Sequence, residues 1–327
     1  MPHAAKLTYS GPRTQDFRTQ DVLLTRTIED VRRAVDAAKA HGRRVGFVPT
    51  MGFLHEGHLS LIDAARKNGA EFIVVSIFVN PKQFGPSEDL ARYPRDEERD
   101  SGLLLRRDVD VLFIPDVATM YPPGSQTTVA VSAVARPLEG ARRPGHFDGV
   151  ATVVLKLLNI VQPDIAAFGR KDAQQCAVID RMVRDLDIPV RLVFGETVRE
   201  SDGLAMSSRN SYLSAGQRAV APVLHRALRA GEEALRHDVE DVGEVERLMQ
   251  KVVAEVEGVA VDYLVLIDPE TFEAPADFDR DLLLAGAVRV GMTRLIDNIR
   301  IPGHTLSPQR HRGTGGLREE TRMNAKN

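Results

Sequence analysis

Five short apolar runs, at residues 45–48, 72–79, 109–114, 164–168 and 190–194, are rich in Val, Ile and Phe and bounded by Gly, Pro or Asp. Helical periods separate them. Val150, Val153, Val154, Leu157, Leu158 and Val161 recur at i, i+3, i+4 and i+7, and so do Cys176, Ile179, Met182, Val183 and Leu186. Alternation of this kind predicts crossover units around a mostly parallel sheet, an α/β, Rossmann-like domain whose ligands bind outside the strand C-terminal ends. The pattern changes near Thr197. Two charged helical stretches, roughly 214–237 and 242–257, then lead to alternating strands at 262–267 and 287–295, which reads as a smaller α+β domain. The expected organisation is an N-terminal extension over 1–21, the Rossmann-like domain over 22–196, the α+β domain over 197–303 and a disordered tail over 304–327.

The first apolar run leads into Val45-Gly-Phe-Val-Pro-Thr-Met-Gly-Phe-Leu-His-Glu-Gly-His58. Pro49 disfavours helical geometry at the strand end, and Gly52 and Gly57 let backbone approach a ligand closely. A helix beginning near Glu56 or Gly57 would aim its N-terminal N–H groups and positive dipole end at that ligand, which favours phosphate. His55 and His58, three apart, would project to one side of it as neutral-to-cationic imidazoles suited to a triphosphate. A metal half-site or two surface histidines would give the same spacing. Strand, turn and glycine together favour a nucleotide site and make the 22–196 unit a nucleotide-binding domain.

Four further segments follow strand ends or open helices. The run 78–84 offers Asn80 and Gln83 as neutral amides able to read hydroxyl and carboxylate groups, or as a turn closed by Asn-Pro. The run 139–150 carries Arg142, Arg143 and His146 in a Gly- and Pro-rich loop that would either cover a site or connect elements. In 168–175, Lys171 can donate to phosphate near a helix start that Asp172 would cap. In 202–210, Ser207, Ser208 and Arg209 form a compact set of phosphate donors.

Composition narrows the function classes. The net charge of −3 supplies no general polyanion-binding surface, so no nucleic acid partner is expected and any anion site must be built locally. The single cysteine, Cys176, lies on an apolar stripe and is expected in the core, without disulfide, zinc cluster or nucleophilic role. No run approaches the roughly 18 apolar residues of a membrane span, and the first twenty residues hold no apolar block. A cytoplasmic enzyme without membrane contact is expected.

The Met51-Gly-x-Leu-His-x-Gly-His58 run, with the four other segments, resembles the pantothenate synthetase (pantoate:β-alanine ligase) family of the His-x-Gly-His nucleotidyltransferase superfamily, over about 45–212. A weaker echo lies at Arg294-Leu-Ile-Asp-Asn298. The resemblance implies ATP contacts at Met51, Gly52, Phe53, Leu54, His55, Glu56, Gly57, His58, Gly169, Arg170, Lys171, Asp172, Val198, Met206, Ser207, Ser208 and Arg209, with Val198 near adenine. It implies catalytic roles for His55, His58, Lys171 and Arg209. Gln83 would meet both pantoate and β-alanine, Gln175 would meet pantoate, and Asn80, Arg143 and His146 would complete the substrate wall. Asp100, in the acidic run 96–100, would be the Mg²⁺ ligand, and a homodimer is expected on the resemblance alone. Arg170 stands where the family has glutamate, so it carries over as a backbone position only; Lys82 also departs from the family run.

The implied chemistry is attack of the pantoate carboxylate on the ATP α-phosphorus, then displacement of AMP from pantoyl adenylate by the β-alanine amine. A carboxylate with pKa near ~4 is ionised at neutral pH, so the first step needs charge stabilisation and no general base. A relative that adenylylates a phosphate-bearing acceptor would want Lys or Arg where Gln83 and Gln175 stand. A non-catalytic nucleotide sensor would have no need to keep both histidines, Lys171 and Arg209.

Overall fold

The computed structural model describes residues 5–7, as backbone, and 22–303. Most of the N-terminal extension and the whole of the expected tail lie outside the described residues. The first unit comprises β1 (Ala5–Leu7), β2 (Val22–Thr25), α1 (Ile28–Ala40), β3 (Val45–Thr50), α2 (Glu56–Lys67), β4 (Phe72–Ile77), α3 (Glu97–Leu105) and β5 (Val111–Phe113). It continues through α4 (Val117–Met120), α5 (Glu139–Arg142), α6 (His146–Val161), β6 (Ile165–Gly169), α7 (Ala173–Asp185) and β7 (Arg191–Gly195). The strands form one sheet in the order β1-β2-β5-β4-β3-β6-β7, parallel from β2 to β7, with β1 antiparallel at the edge.

The central parallel strands are apolar on both faces because helices cover both. Phe47, Val74, Phe113 and Ala166 point into a layer filled by Val31 and Val35 of α1, Val150, Val154 and Leu158 of α6 and Ile179 and Met182 of α7. Val48, Ile73, Val75 and Leu112 point the other way, onto Leu59 and Ile62 of α2 and Leu104 of α3. Burying each such side chain stabilises the fold by roughly 1.5–3 kcal/mol before the entropy of ordering it is set against that gain. Cys176 is buried in the first layer, its thiol donating to the Gly169 carbonyl, and burial pushes its pKa up. This agrees with the core reading.

The chain then forms α8 (Ala215–Val220), α9 (Val223–Arg236), α10 (Val242–Ala254) and three antiparallel strands, β8 (Val259–Ile267), β9 (Leu282–Val290) and β10 (Thr293–Ile301), in the order β10-β9-β8. Leu264, Leu266, Leu282 and Leu284 face Leu224 and Leu228 of α9 and Met249 of α10. The alternate residues Ile267, Leu283 and Ala285 join the core of the first unit. The small sheet therefore sits between its own helices and the Rossmann-like layers.

Two expectations need correction. The single helix expected over 214–237 is two, because Pro222 has no N–H to continue the ladder and α9 restarts behind it. The strand expected over 287–295 is the turn of a hairpin: β9 ends at Val290, Gly291 takes φ +59°, and β10 begins at Thr293. Helix α1, not foreseen, has a readable stripe at Val31, Val35 and Ala38, and Thr27 caps it by accepting the Asp30 N–H. Among the described residues, no helix is long and apolar enough to cross a membrane.

Candidate active site

Strand β3 has β4 on one side and β6 on the other, so the sheet order reverses beside it and the crevice opens between the ends of β3 and β6. Ligands of open α/β sheets bind at such a point. The chain leaves β3 through Gly52 at φ +84° and Phe53 at φ +50° before α2 starts at Glu56, as the motif required. A non-glycine residue at positive φ costs of order 1–3 kcal/mol and is held by its surroundings. Here the holder is Asp100 of α3: its buried carboxylate accepts the N–H groups of Phe53 and Leu54 at 2.6 and 2.8 Å. Arg99 adds a donated bond to the Leu54 carbonyl at 2.9 Å and lies over the Phe53 ring.

The turn delivers His55 and His58 as a tilted pair with ring centroids 4.1 Å apart. His58 Nδ1 accepts the His55 N–H at 3.3 Å, which leaves Nε2 to carry the ring proton. Burial, then the neighbouring His55, pushes the His58 pKa down to about 3; burial, then Lys171, pushes His55 down to about 4. Both are neutral donors at pH 7, which removes the cationic half of the sequence reading.

Across the crevice, β6 ends at Gly169 and a 3-10 turn over Arg170–Asp172 precedes α7. Lys171 and Asp172 line the same cavity as the histidines, with Lys171 Nζ 3.5 Å from Asp172. Asp172 occupies the N-cap position but makes no capping bond, so the capping expectation is corrected. Burial works against its charge, yet Lys171 and Arg209 hold its pKa below the usual carboxylate value. Arg170 turns away, pairing with Glu196 at 3.1 Å and lying over Phe194. The third wall comes from Val198 and Met206, joined by a 2.9 Å backbone bond, and from Ser207, Ser208 and Arg209. Ser208 donates to the Phe53 carbonyl at 3.1 Å, tying this loop to the turn after β3.

Gln83 and Gln175 face the same cavity, beside Met51 and Gly57. Helix α6 approaches the 80–83 segment so closely that a Cβ on Gly149 would lie 2.3 Å from the Lys82 carbonyl oxygen. Asn80 uses that contact: it donates to the Gly149 carbonyl and to Gln83 Oε1, both at 3.1 Å, and accepts from Lys82 N and the Tyr121 hydroxyl. His146 Nδ1 lies 2.8 Å from the Gln83 carbonyl and Nε2 lies 2.9 Å from Arg143. Burial, then Arg143, lowers the His146 pKa to about 4.

Several expected residues therefore act from behind the wall. Asn80 is 1% exposed with its hydrogen bonds spent on protein, and so it orients Gln83 instead of meeting a ligand. The Leu54 side chain is 1% exposed in the core. Glu56 pairs with Arg107 on the outer side of α2, so only backbone is available to a nucleotide at these two positions. Asp100 spends both oxygens on the loop, and burial raises its pKa; that arrangement does not suit a Mg²⁺ ligand. Among the described residues no cluster of three metal-binding side chains exists. The carboxylates that line this cavity are Asp172 and Glu196.

The structure also adds residues the motifs did not announce. Arg209 makes a two-bond pair with Asp89 at 2.8 and 2.9 Å, and Arg143 a two-bond pair with Glu88 at 2.7 Å. Tyr93 stacks beneath Arg209 and lines the cavity. Glu88, Asp89 and Tyr93 belong to a connection without periodicity, where only their charge and ring gave any signal.

A six-stranded parallel sheet whose reversal point is flanked by paired histidines, a lysine and a Ser-Ser-Arg loop defines a Rossmann-like nucleotidyltransferase fold. Residues 23–300 match the family model described as pantoate-beta-alanine ligase. A pantothenate synthetase of Herpetosiphon aurantiacus is 52% identical over 275 residues, covering 84% of this chain and 98% of the relative. One from Moorella thermoacetica is 51% identical over 276 residues, covering 84% and 97%. The crystal structure of the Thermus thermophilus enzyme superposes with TM-score 0.81 at 48% identity, covering 84% of this chain and 98% of that one. A Francisella tularensis pantoate-beta-alanine ligase, solved with beta-gamma ATP and beta-alanine, superposes with TM-score 0.66 at 32% identity, covering 86% and 98%. The chain belongs to the pantoate-beta-alanine ligase family.

Proposed function

We propose that this cleft condenses pantoate with β-alanine at the expense of ATP, forming pantothenate through a pantoyl adenylate and releasing pyrophosphate and AMP. The observation that carries this reading is the convergence of His55, His58, Lys171 and Asp172 with the neutral amides of Gln83 and Gln175 on one cavity at the reversal point of the sheet. The N-terminus of α2 and Lys171 receive the triphosphate, with Ser207 and Arg209 closing on it once Arg209 exchanges Asp89 for phosphate. Val198 and Met206 take the adenine. Gln83 and Gln175 hold the two acids, Arg143 and His146 forming the wall behind Gln83.

The pantoate carboxylate attacks the α-phosphorus without a general base, and neutral His58 with Lys171 donates to the charge that builds there. The unprotonated β-alanine amine then attacks the acyl carbon of the adenylate, AMP leaves with the C–O bond pair, and the nitrogen gives up its proton to solvent. Asp172 and Glu196, the carboxylates on the cavity wall, would hold Mg²⁺, which would supply charge neutralisation when bound. The resemblance to the family supports a cytoplasmic homodimer. Neutral Gln83 and Gln175, with Arg143 committed to Glu88, disfavour a phosphate-bearing acceptor.

The test is incubation with ATP, Mg²⁺ and pantoate, with and without β-alanine. Pyrophosphate stoichiometric with enzyme-bound adenylate is expected without β-alanine, and continuous AMP and amide with it. ADP and phosphate as products would mean an acyl phosphate and sink the adenylate route.

A further inference from the structure

The Asp297-Asn298 dipeptide lies on β10, in the small sheet, yet its side chains reach two loops of the nucleotide site. Asn298 is 8% exposed, and its Nδ2 donates to the carbonyls of Arg170 and Lys171 at 2.9 Å each. One amide thus bridges consecutive carbonyls of the 3-10 turn that aims Lys171 into the cleft. Asp297, 5% exposed, accepts two bonds from Arg199 at 2.6 and 3.0 Å, and Arg199 also donates to the Gly203 carbonyl at 3.1 Å, on the strand-turn that leads to Ser207 and Arg209. The Asp297 carboxylate also accepts the Asn298 N–H at 2.8 Å, which fixes the asparagine's own backbone.

We propose that Asn298 is a positioning residue for the adenylation step, acting through the backbone of Arg170 and Lys171 to set where the Lys171 ammonium sits. A 3-10 turn has poorer hydrogen-bond geometry than an α-helix, so a donor from outside adds restraint to its carbonyls. Lys171 has no such restraint of its own: its Nζ contact to Asp172 is 3.5 Å long. The asparagine amide supplies the restraint from the neighbouring sheet. Asn is suited because it brings two N–H donors and no charge to two carbonyl oxygens.

This rests on the role given above to Lys171, and a double-mutant cycle separates the two. Adenylate formation is followed in single turnover with ATP, Mg²⁺ and pantoate for wild type, Lys171→Ala, Asn298→Ala and the double variant, with thermal unfolding and β-alanine KM measured alongside. A displacement of about 1 Å at a reacting group costs on the order of 10²-fold, so Asn298→Ala should slow adenylate formation by about 10- to 100-fold with β-alanine KM unchanged. In the Lys171→Ala background the same substitution should change the rate by less than about threefold, because the group it positions is gone. Asn298→Ser, which keeps one donor in a smaller side chain, should lie between wild type and Asn298→Ala, and it carries the test if the alanine variant does not fold. Equal loss in both backgrounds, or wild-type rates in Asn298→Ala or Asn298→Ser, overturns the inference while leaving the reading of Lys171 intact. A wild-type rate in Lys171→Ala overturns both.

Discussion

His58 and His55, with pKa values near 3 and 4, reach neutral pH as uncharged donors, and His146 joins them near 4. Two consequences follow from that sign. Adenylate formation should show no ionisation limb near 6.5 between pH 5.5 and 8; a limb there that vanishes in His58→Gln would mean a cationic imidazole does the work. Stability should respond in the opposite sense to a salt-bridged histidine. The unfolded chain takes up these protons near the ordinary value of about 6.5 while the folded protein resists them until about 4, so the stabilisation is complete above 6.5 and drains away as pH falls toward 4. Urea unfolding at several pH values in that window checks it, and replacing His58 with Gln should flatten the slope. Loss of a positioned electrostatic donor typically costs about 10² to 10³ in turnover, and His58→Ala should fall in that range while staying folded. Arg170→Glu should leave ATP affinity within about fivefold, roughly 1 kcal/mol, since the side chain meets Glu196 and Phe194 and lines none of the described cavity. A hundredfold weakening, read by calorimetry, would place Arg170 on the phosphates.

At the scale of elements, the turn between β3 and α2 is strained and α3 holds it. Asp100→Asn keeps the shape but turns one acceptor into a donor facing a buried N–H, an orphaned group worth about 1–3 kcal/mol. The expected result is a lowered melting temperature with the Mg²⁺ dependence of adenylate formation unchanged. A tenfold rise in the Mg²⁺ requirement at undiminished stability would instead make Asp100 a metal ligand. This element also shows what the sequence could carry. Gly52, His55 and His58 were legible because strand, turn and helix start are local and their spacing encodes them. Asp100 was legible as an acidic residue near the site but not as a clamp, since its partners stand 46 and 47 positions away. The side chain of Arg170 faces away for a reason the sequence did not offer: the chain has already turned into a 3-10 helix there, so strand alternation does not govern it. Pro222 and Gly291 were visible as residues, but their effects on α9 and on the β9-β10 hairpin were lost inside runs of matching hydrophobic period.

Across the whole molecule, a charged cluster that no local pattern announces ties the small sheet to α5 of the first unit. Arg294 of β10 donates two 2.7 Å bonds to Glu139 of α5 and one of 2.6 Å to Asp262, while the Tyr263 hydroxyl donates to Glu139 at 2.8 Å. Glu139 is 6% exposed, and despite burial Arg294 keeps its pKa below the ordinary carboxylate value. The same short helix leads into Arg143 and His146, so the cluster fixes the wall behind Gln83 to the small sheet. Breaking a buried pair from one side is costlier than deleting it, because a charge is left without its partner. Arg294→Ala should therefore destabilise the protein by about 3–5 kcal/mol in urea unfolding, whereas Glu139→Gln with Arg294→Met together should recover a large part of that loss. If Arg294→Ala costs less than about 1 kcal/mol, the pair behaves as a solvated surface bridge and does not hold α5 to the small sheet.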